Sequence, residues 1–230
     1  VLLTVNEESG MDGARGLAPG TLHGRTLINL DTEEWGHFYL GCAGGVDVEV
    51  RHDCAQQEVP PDYALLRFEV SGLRGGHSGI DIHLGRGNAV KLLAEALRDL
   101  CAHTDLRLIG MQGGTARNAI PREAFATCAL PVAMASNIDE WVRHRHKAWR
   151  QRFAEADANI SFACKHYDTP PETSIARTEQ DRLLAFLDIA ANGVARVSEA
   201  FPGVTDTSSN LGVLALEQGA TLAADPLQIP

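Results

Sequence analysis

Hydrophobic positions recur at two periods along this chain, and the switching between them outlines a mixed α/β protein. In "LLRFEVSGL", Leu66, Phe68 and Val70 fall on one face and Arg67 and Glu69 on the other, the two-residue period of a half-buried strand. After "RGGHSGIDIHLGRG" the period lengthens. Val90, Leu93, Leu97 and Leu100 share one helical face, and Asn88 stands where a cap belongs. A second helix is predicted from Asn137, with Glu140 three residues on in capping-box spacing and Ile138, Trp141, Val142, Trp149 and Phe153 along one side. Its other side carries "RHRHK", read as a solvated face rather than a binding patch. A third helix is predicted from near Thr178 through Leu183, Leu184 and Leu187, ending at Asn192-Gly193, where glycine suits a left-handed terminus. Strand candidates "LRLIGM", "AFATCAL", "ISFACKHY" and "LGVLALE" lie between the helices. Residues 1 to 50 read as short strands broken by glycine loops: "VLLTV", "TLINLD" and "HFYLGCAGGVDVEV". No internal repeat interrupts the pattern.

Composition sets bounds on this picture. A chain of 230 residues, 44% of them hydrophobic, buries a sizeable core as one large domain or two small ones. A formal net charge of -10 argues against nucleic acid or an anionic membrane as partner, since either repels such a surface. No apolar run approaches the roughly 18 residues of a membrane span. The five cysteines, Cys42, Cys54, Cys101, Cys128 and Cys164, are odd in number and never spaced as C-x-x-C. That suits free thiols in a reducing compartment, so a cytoplasmic location is expected. Val1 opens inside a strand-like run without a methionine or a polar lead-in, which suits a piece of a longer protein.

The candidate chemistry begins with acid. Glu7 and Glu8 adjoin each other after an apolar run and point in different directions, so one can coordinate a metal while its neighbour handles a proton. The dipeptide alone reads more simply as an exposed loop pair capping the next helix. "TLINLDTEEWG" repeats the arrangement, its apolar run ending on Asp31 with Glu33 and Glu34 beyond, and functional residues in α/β sheets collect past strand ends. His77 lies in "RGGHSG", where glycines permit close backbone approach, although a lone loop histidine is commonly incidental. "GRGNAV" lacks the last glycine of G-x-G-x-x-G, so phosphate cradling is not expected. "GGTARNAIP" sets Arg117, suited to a carboxylate, and Asn118, suited to a peptide carbonyl, after a tight glycine turn. It also reads as an ordinary loop into a strand.

Taken in order, "NEESGMDGARGL", "LINLDTEEWG", "YLGCAGGVDVEV", "LRGGHSGIDIHLGRGNAVKLL", "GGTARNAIPREAFAT" and "NGVARVSEAFPGVTDTSSNLGV" resemble the aminoacyl-histidine dipeptidases. These carnosine-type enzymes belong to the zinc aminoacylase and carboxypeptidase superfamily. The resemblance implies a metallopeptidase with two zinc ions, or Mn²⁺ or Co²⁺ at the same carboxylates, acting on small Xaa-His dipeptides. By the same resemblance Glu7 is the general base, Glu8 a ligand of one metal and Asp31 a ligand of the other. His77 is the lid histidine that polarises the scissile carbonyl, and Asn118 and Arg117 contact substrate. It further implies a remnant of the catalytic α/β domain over residues 1–45. A two-layer α+β lid of dimerisation type, a sheet backed by helices, follows over 46–230 and carries homodimer contacts. The remaining zinc ligands of the family lie outside these 230 residues, and "AADPLQIP" departs from the family pattern. Two carboxylates do not complete a dinuclear zinc centre. An inactive lid or interaction module, or a related exopeptidase or deacylase with another substrate, is therefore the alternative for the 230 residues alone. A metal-free hydrolase using the same carboxylates needs two of them facing across a cleft, which adjacent residues do not provide.

Overall fold

The computed structural model describes residues 1–7, 10–30, 35–39, 42–168, 172–216 and 221–225. The chain divides into two units, Val1–Cys42 and Ala43–Pro230.

The first unit contains one regular element among its described residues, the single-turn helix α1 (Asp12–Arg15). Among the described residues the strands expected in "VLLTV" and "TLINLD" do not form, and those of "HFYLGCAGGVDVEV" stay irregular until its final valine, with Asp31, Leu40 and Gly41 outside the described residues. The physical reason is visible in the side chains: Leu27, Ile28, Leu30 and Phe38 are all exposed. An extended apolar segment becomes a strand only when a neighbouring strand takes up its backbone groups in a ladder, and no such ladder forms among the described residues of this unit.

The second unit opens with β1 (Val50–Asp53), β2 (Gln56–Glu58), β3 (Tyr63–Ser71) and β4 (Gly76–His77). Helix α2 (Ala89–Cys101), β5 (Arg107–Gly113), β6 (Ala119–Ile120) and β7 (Ala124–Pro131) follow. A short helix α3 (Val132–Ala135) runs into α4 (Ile138–Arg152), then β8 (Ser161–Tyr167), β9 (Thr173–Ile175) and α5 (Arg177–Ile189). The last elements are β10 (Gly193–Val197), β11 (Thr205–Ser209), β12 (Val213–Leu216) and β13 (Thr221–Asp225).

Seven strands form one antiparallel sheet in the order β1-β13-β12-β5-β7-β3-β8. Its centre is long and regular: β3 pairs with β7 from Tyr63↔Pro131 to Val70↔Ala124, and with β8 from Leu65↔Tyr167 to Ser71↔Ser161. Leu66, Phe68 and Val70 alternate inward as their period requires, and each is fully buried. They meet Leu93 and Leu97 of α2, Val142 and Trp149 of α4 and Leu184 and Leu187 of α5 in one continuous core, so the helices cover one face of the sheet. Burying each such side chain contributes about 1.5–3 kcal/mol. Aromatic contacts define the seam with α4. Phe68 stacks on Phe162 at 6.0 Å and meets Trp141 edge-on at 6.1 Å, and Trp149 leans on Phe162 at 4.9 Å. The pattern predicts the mixture of strands and helices, and the sheet backed by helices is the arrangement that the family resemblance implies.

The caps depart from expectation in two places. Asn88 caps α2 as predicted, its side-chain oxygen accepting from the Val90 and Lys91 amides at 3.0 and 3.2 Å. Asn137 makes no side-chain cap for α4. Helix α3 already brings the chain in as a helical turn, and the Asn137 amide bonds to the Met134 carbonyl at 3.1 Å. Helix α5 stops at Ile189, short of Asn192-Gly193. The Lys91 ammonium donates to the carbonyls of Leu187, Asp188 and Ala190 at 2.6, 2.9 and 2.7 Å, closing that helix end from outside. Burial pushes the Lys91 ammonium below its ordinary value, opposed by the charge of Asp188. Gly193, with φ +102°, instead opens β10. The "RHRHK" run faces solvent at Arg143, His144 and Lys147, but Arg145 reaches back across Trp141 to Glu95 and Asp99.

Candidate functional site

His77 is placed by a two-stranded ribbon and a tight loop. β4 pairs with β6 through Gly76↔Ile120 and His77↔Ala119, and the Ser78 amide donates to the Asn118 carbonyl at 2.8 Å. The His77 amide donates to Asp81 Oδ2 at 3.0 Å, and Arg86 holds that same oxygen at 3.2 Å. Gly76, at φ +140°, has no room for a Cβ between Asp81 and Arg86, so the glycine before the histidine is a requirement of the loop. The exposed imidazole is itself held: Nδ1 accepts from the Gly79 and Ile80 amides at 3.1 and 3.3 Å. A nitrogen that accepts from two N–H groups carries no proton, so the proton of the neutral ring sits on Nε2. The fold thus presents Nε2 of His77 as the ring nitrogen left to donate.

The loop between Arg74 and Gly87 is pinned at both ends by one buried residue. Asp157 is wholly inaccessible, and its two oxygens accept from the Arg74 and Gly87 amides, each at 2.7 Å. Charge-assisted bonds of this kind are short and strong, and they fix where the His77 loop starts and ends.

The turn carrying Arg117 and Asn118 is likewise built by close backbone approach. Gly114 has φ +75°, and a side chain there would collide with the Gly212 carbonyl; a Cβ on Gly212 would sit 2.8 Å from Arg117 Cα. Both positions require glycine. Asn210, 1% exposed, donates from its side-chain amide to the carbonyls of Arg117 and Ala119 at 3.3 and 2.9 Å, and its Oδ1 is buried without a partner. Arg117 pairs with Asp47 at 2.7 Å, so a carboxylate already occupies the guanidinium. A cavity of about 250 Å³ is lined by Gly44, Gly45, His77, Ser78, Ser209 and Asn210. A larger groove of about 610 Å³ borders the same ribbon along Arg74, Gln112, Arg122 and Leu214, and none of the residues predicted for the site lines it.

The structure therefore brings His77 and the Arg117–Asn118 turn together, with the Ser78–Asn118 bond joining them. Asn210 and Ser209 were not singled out by sequence reasoning. Their only signal is that "TDTSSNLGV" carries polar residues directly before a strand, where side chains can reach a neighbouring loop. Glu7 lies in the first unit, exposed in a turn, with its carbonyl accepting from Gly10 and Met11 amides at 3.3 and 3.2 Å. The cap of α1 is Met11, without a side-chain bond, so Glu7 does not cap that helix. Glu8 and Asp31 lie outside the described residues.

Residues 68–157 match the family of M20 peptidase dimerisation domains. Over 216 residues the chain is 40% identical to the cytosol non-specific dipeptidase of Escherichia coli strain K12, a match covering 94% of this chain and 44% of that protein. The fold is similar to the crystal structure of aminoacylhistidine dipeptidase from Vibrio alginolyticus, with a TM-score of 0.86 and 38% identity over 100% of this chain and 46% of that one. The chain thus spans less than half the length of each of these two relatives. All five cysteines are free, and no helix among the described residues is long and apolar enough to cross a membrane.

Proposed function

We propose that the chain belongs to the M20 peptidases, as its match to their dimerisation domain and its likeness to two dipeptidases support, and that it supplies the lid and part of the metal shell of a cytoplasmic two-zinc dipeptidase acting on Xaa-His substrates. Residues 1–45 are then the contribution to the catalytic domain, and 46–230 the lid. The activity is proposed for a protein of the relatives' length. Glu8 and Asp31 are oxygen donors that zinc accepts, but two carboxylates are too few for two ions.

Zinc, when bound, supplies Lewis-acid activation of the attacking water. The chain's own residues do the rest. Glu7 takes the proton from that water and returns it to the departing amine, while the peptide C–N bond breaks and the new C–O bond forms. His77 donates from Nε2 to the carbonyl oxygen, whose charge grows in the transition state. Asn118 and Arg117 orient the dipeptide, Arg117 exchanging Asp47 for the substrate carboxylate. The observation that carries this reading is the held imidazole: with Nδ1 committed to two backbone amides, His77 is preorganised to donate. The dimerisation-domain match supports a second copy of the chain as partner.

The test is hydrolysis of β-alanyl-histidine and of dipeptides lacking histidine by the protein at the relatives' full length. Glu7→Gln is expected to lower kcat by about 10²–10⁴ with zinc content unchanged. His77→Ala is expected to lower it by about 10²–10³. Retained turnover in Glu7→Gln removes that residue from the base role, and zinc loss in His77→Ala makes the histidine a ligand instead. Equal rates on both substrate sets would replace histidine preference with a broad dipeptidase.

A further inference from the structure

Sequence reasoning passed over His52 and treated Cys54 only as a free thiol, yet the fold sets both against a carboxylate. We propose that His52, Cys54 and Glu179 form a zinc-class metal site that clamps the β1–β2 junction to the start of α5. Their ligand atoms all lie within 4.8 Å of one another, and no other such group of three occurs among the described residues. The inference shares no residue with the catalytic reading.

The local sequence explains the convergence. His52 lies at the end of the β1 alternation and Cys54 directly follows the strand, two positions on, the spacing that sets side chains on one side of a strand. Glu179 is the third residue of α5, and the start of that helix is fixed against the same stretch twice over. β2 pairs with β9 through Gln56↔Ile175, and the Ala176 amide donates to the Ala55 carbonyl at 2.7 Å. The Glu179 side chain is only 13% exposed, unusually enclosed for a carboxylate. Its two oxygens are divided: Oε2 meets His52 Nε2 at 2.7 Å, and Oε1 accepts from Arg182 at 3.2 Å. Arg182 thus orients the carboxylate from outside, as outer partners of metal ligands do.

The donor set names the ion class. Thiolate with imidazole selects zinc or cobalt over the hard cations that prefer oxygen alone, and three protein ligands leave the fourth tetrahedral position to water. Ordinary zinc bond lengths put tetrahedral donors about 3.4–3.6 Å apart. Reaching that spacing opens the 2.7 Å His52–Glu179 contact slightly and, from within 4.8 Å, asks of Cys54 a movement of about 1 Å at most. Half of the His52 side chain is exposed, so its ring is free to make that adjustment.

Titration of the full 230-residue chain with Co²⁺ tests the proposal through the near-ultraviolet charge-transfer band that only a cysteine-bound cobalt gives. One equivalent is expected to produce the band, Cys54→Ser to abolish it, and Cys42→Ser to leave it intact. His52→Ala and Glu179→Gln are each expected to weaken Co²⁺ binding at least tenfold, with far-ultraviolet circular dichroism confirming that each variant is folded. Absence of the band, its survival in Cys54→Ser, or unchanged affinity in both other variants would overturn the site.

Discussion

Asn88 does two separable jobs, and a short mutant series resolves them. Its side-chain oxygen caps α2, while its amide nitrogen donates to Asn192 Oδ1 and to the Leu211 carbonyl, both at 2.9 Å. The residue is 3% exposed and Leu211 1%, so water does not replace the bond lost at the Leu211 carbonyl. Asn88→Ser keeps an oxygen able to cap but removes both donor bonds. Leaving the buried Leu211 carbonyl short of a donor costs about 1–3 kcal/mol, whereas Asn192 is exposed and its Oδ1 still accepts from the Leu211 amide at 3.1 Å. Asn88→Ala loses the cap as well, a further 1 kcal/mol or so. For a unit of this size each kcal/mol moves the midpoint by about 2–4 °C, so Tm is expected to fall by roughly 4–8 °C in the serine variant and 6–12 °C in the alanine variant. Urea denaturation with an unchanged slope measures the same order. A serine variant as stable as wild type would refute the donor contribution, and equal losses in serine and alanine would refute the cap.

Two further outcomes follow from carboxylate chemistry. Asp157→Ala leaves the Arg74 and Gly87 amides without acceptors at both ends of the His77 loop; stability should fall by about 2–4 kcal/mol, and hydrogen exchange at those two amides should quicken. Unchanged exchange there would mean that the loop is held by other contacts. Burial alone raises the Asp105 carboxyl, but hydrogen bonds from Tyr63 and Arg107 and the charges of Arg107 and Arg177 outweigh it and hold Asp105 below its ordinary value. Stability from this group is therefore complete above the unfolded value of about 3.9 and is lost as pH falls through the lower folded value. Asp105→Asn should flatten the acid limb of the stability profile, and an identical acid limb would discard the assignment.

The helical core and the central strands were legible because each obeys one period over many residues. Leu66, Phe68 and Val70, and the α2 stripe, needed no tertiary information. The boundaries were not legible. The end of α5 is set by Lys91, about a hundred positions away in sequence, and the start of α4 by a preceding turn that has no cap signal of its own. His77 and the Arg117–Asn118 turn stood out through their glycines, whereas Asn210 and the His52–Cys54–Glu179 group are products of topology. Strand-like sequence in residues 1–50 overstated the case, since apolar alternation specifies a strand only where a partner edge exists.

The pairing of β1 with β13 joins the first strand of this unit to its last. Val50 stands opposite Ala224, and Asp53 opposite Thr221, so segments 168 positions and more apart in sequence run side by side at one margin of the sheet. The chain thus enters the sheet in β1 and finishes β13 at the same end of one antiparallel pair, so a break in that pair frees the first strand of the unit and the last together.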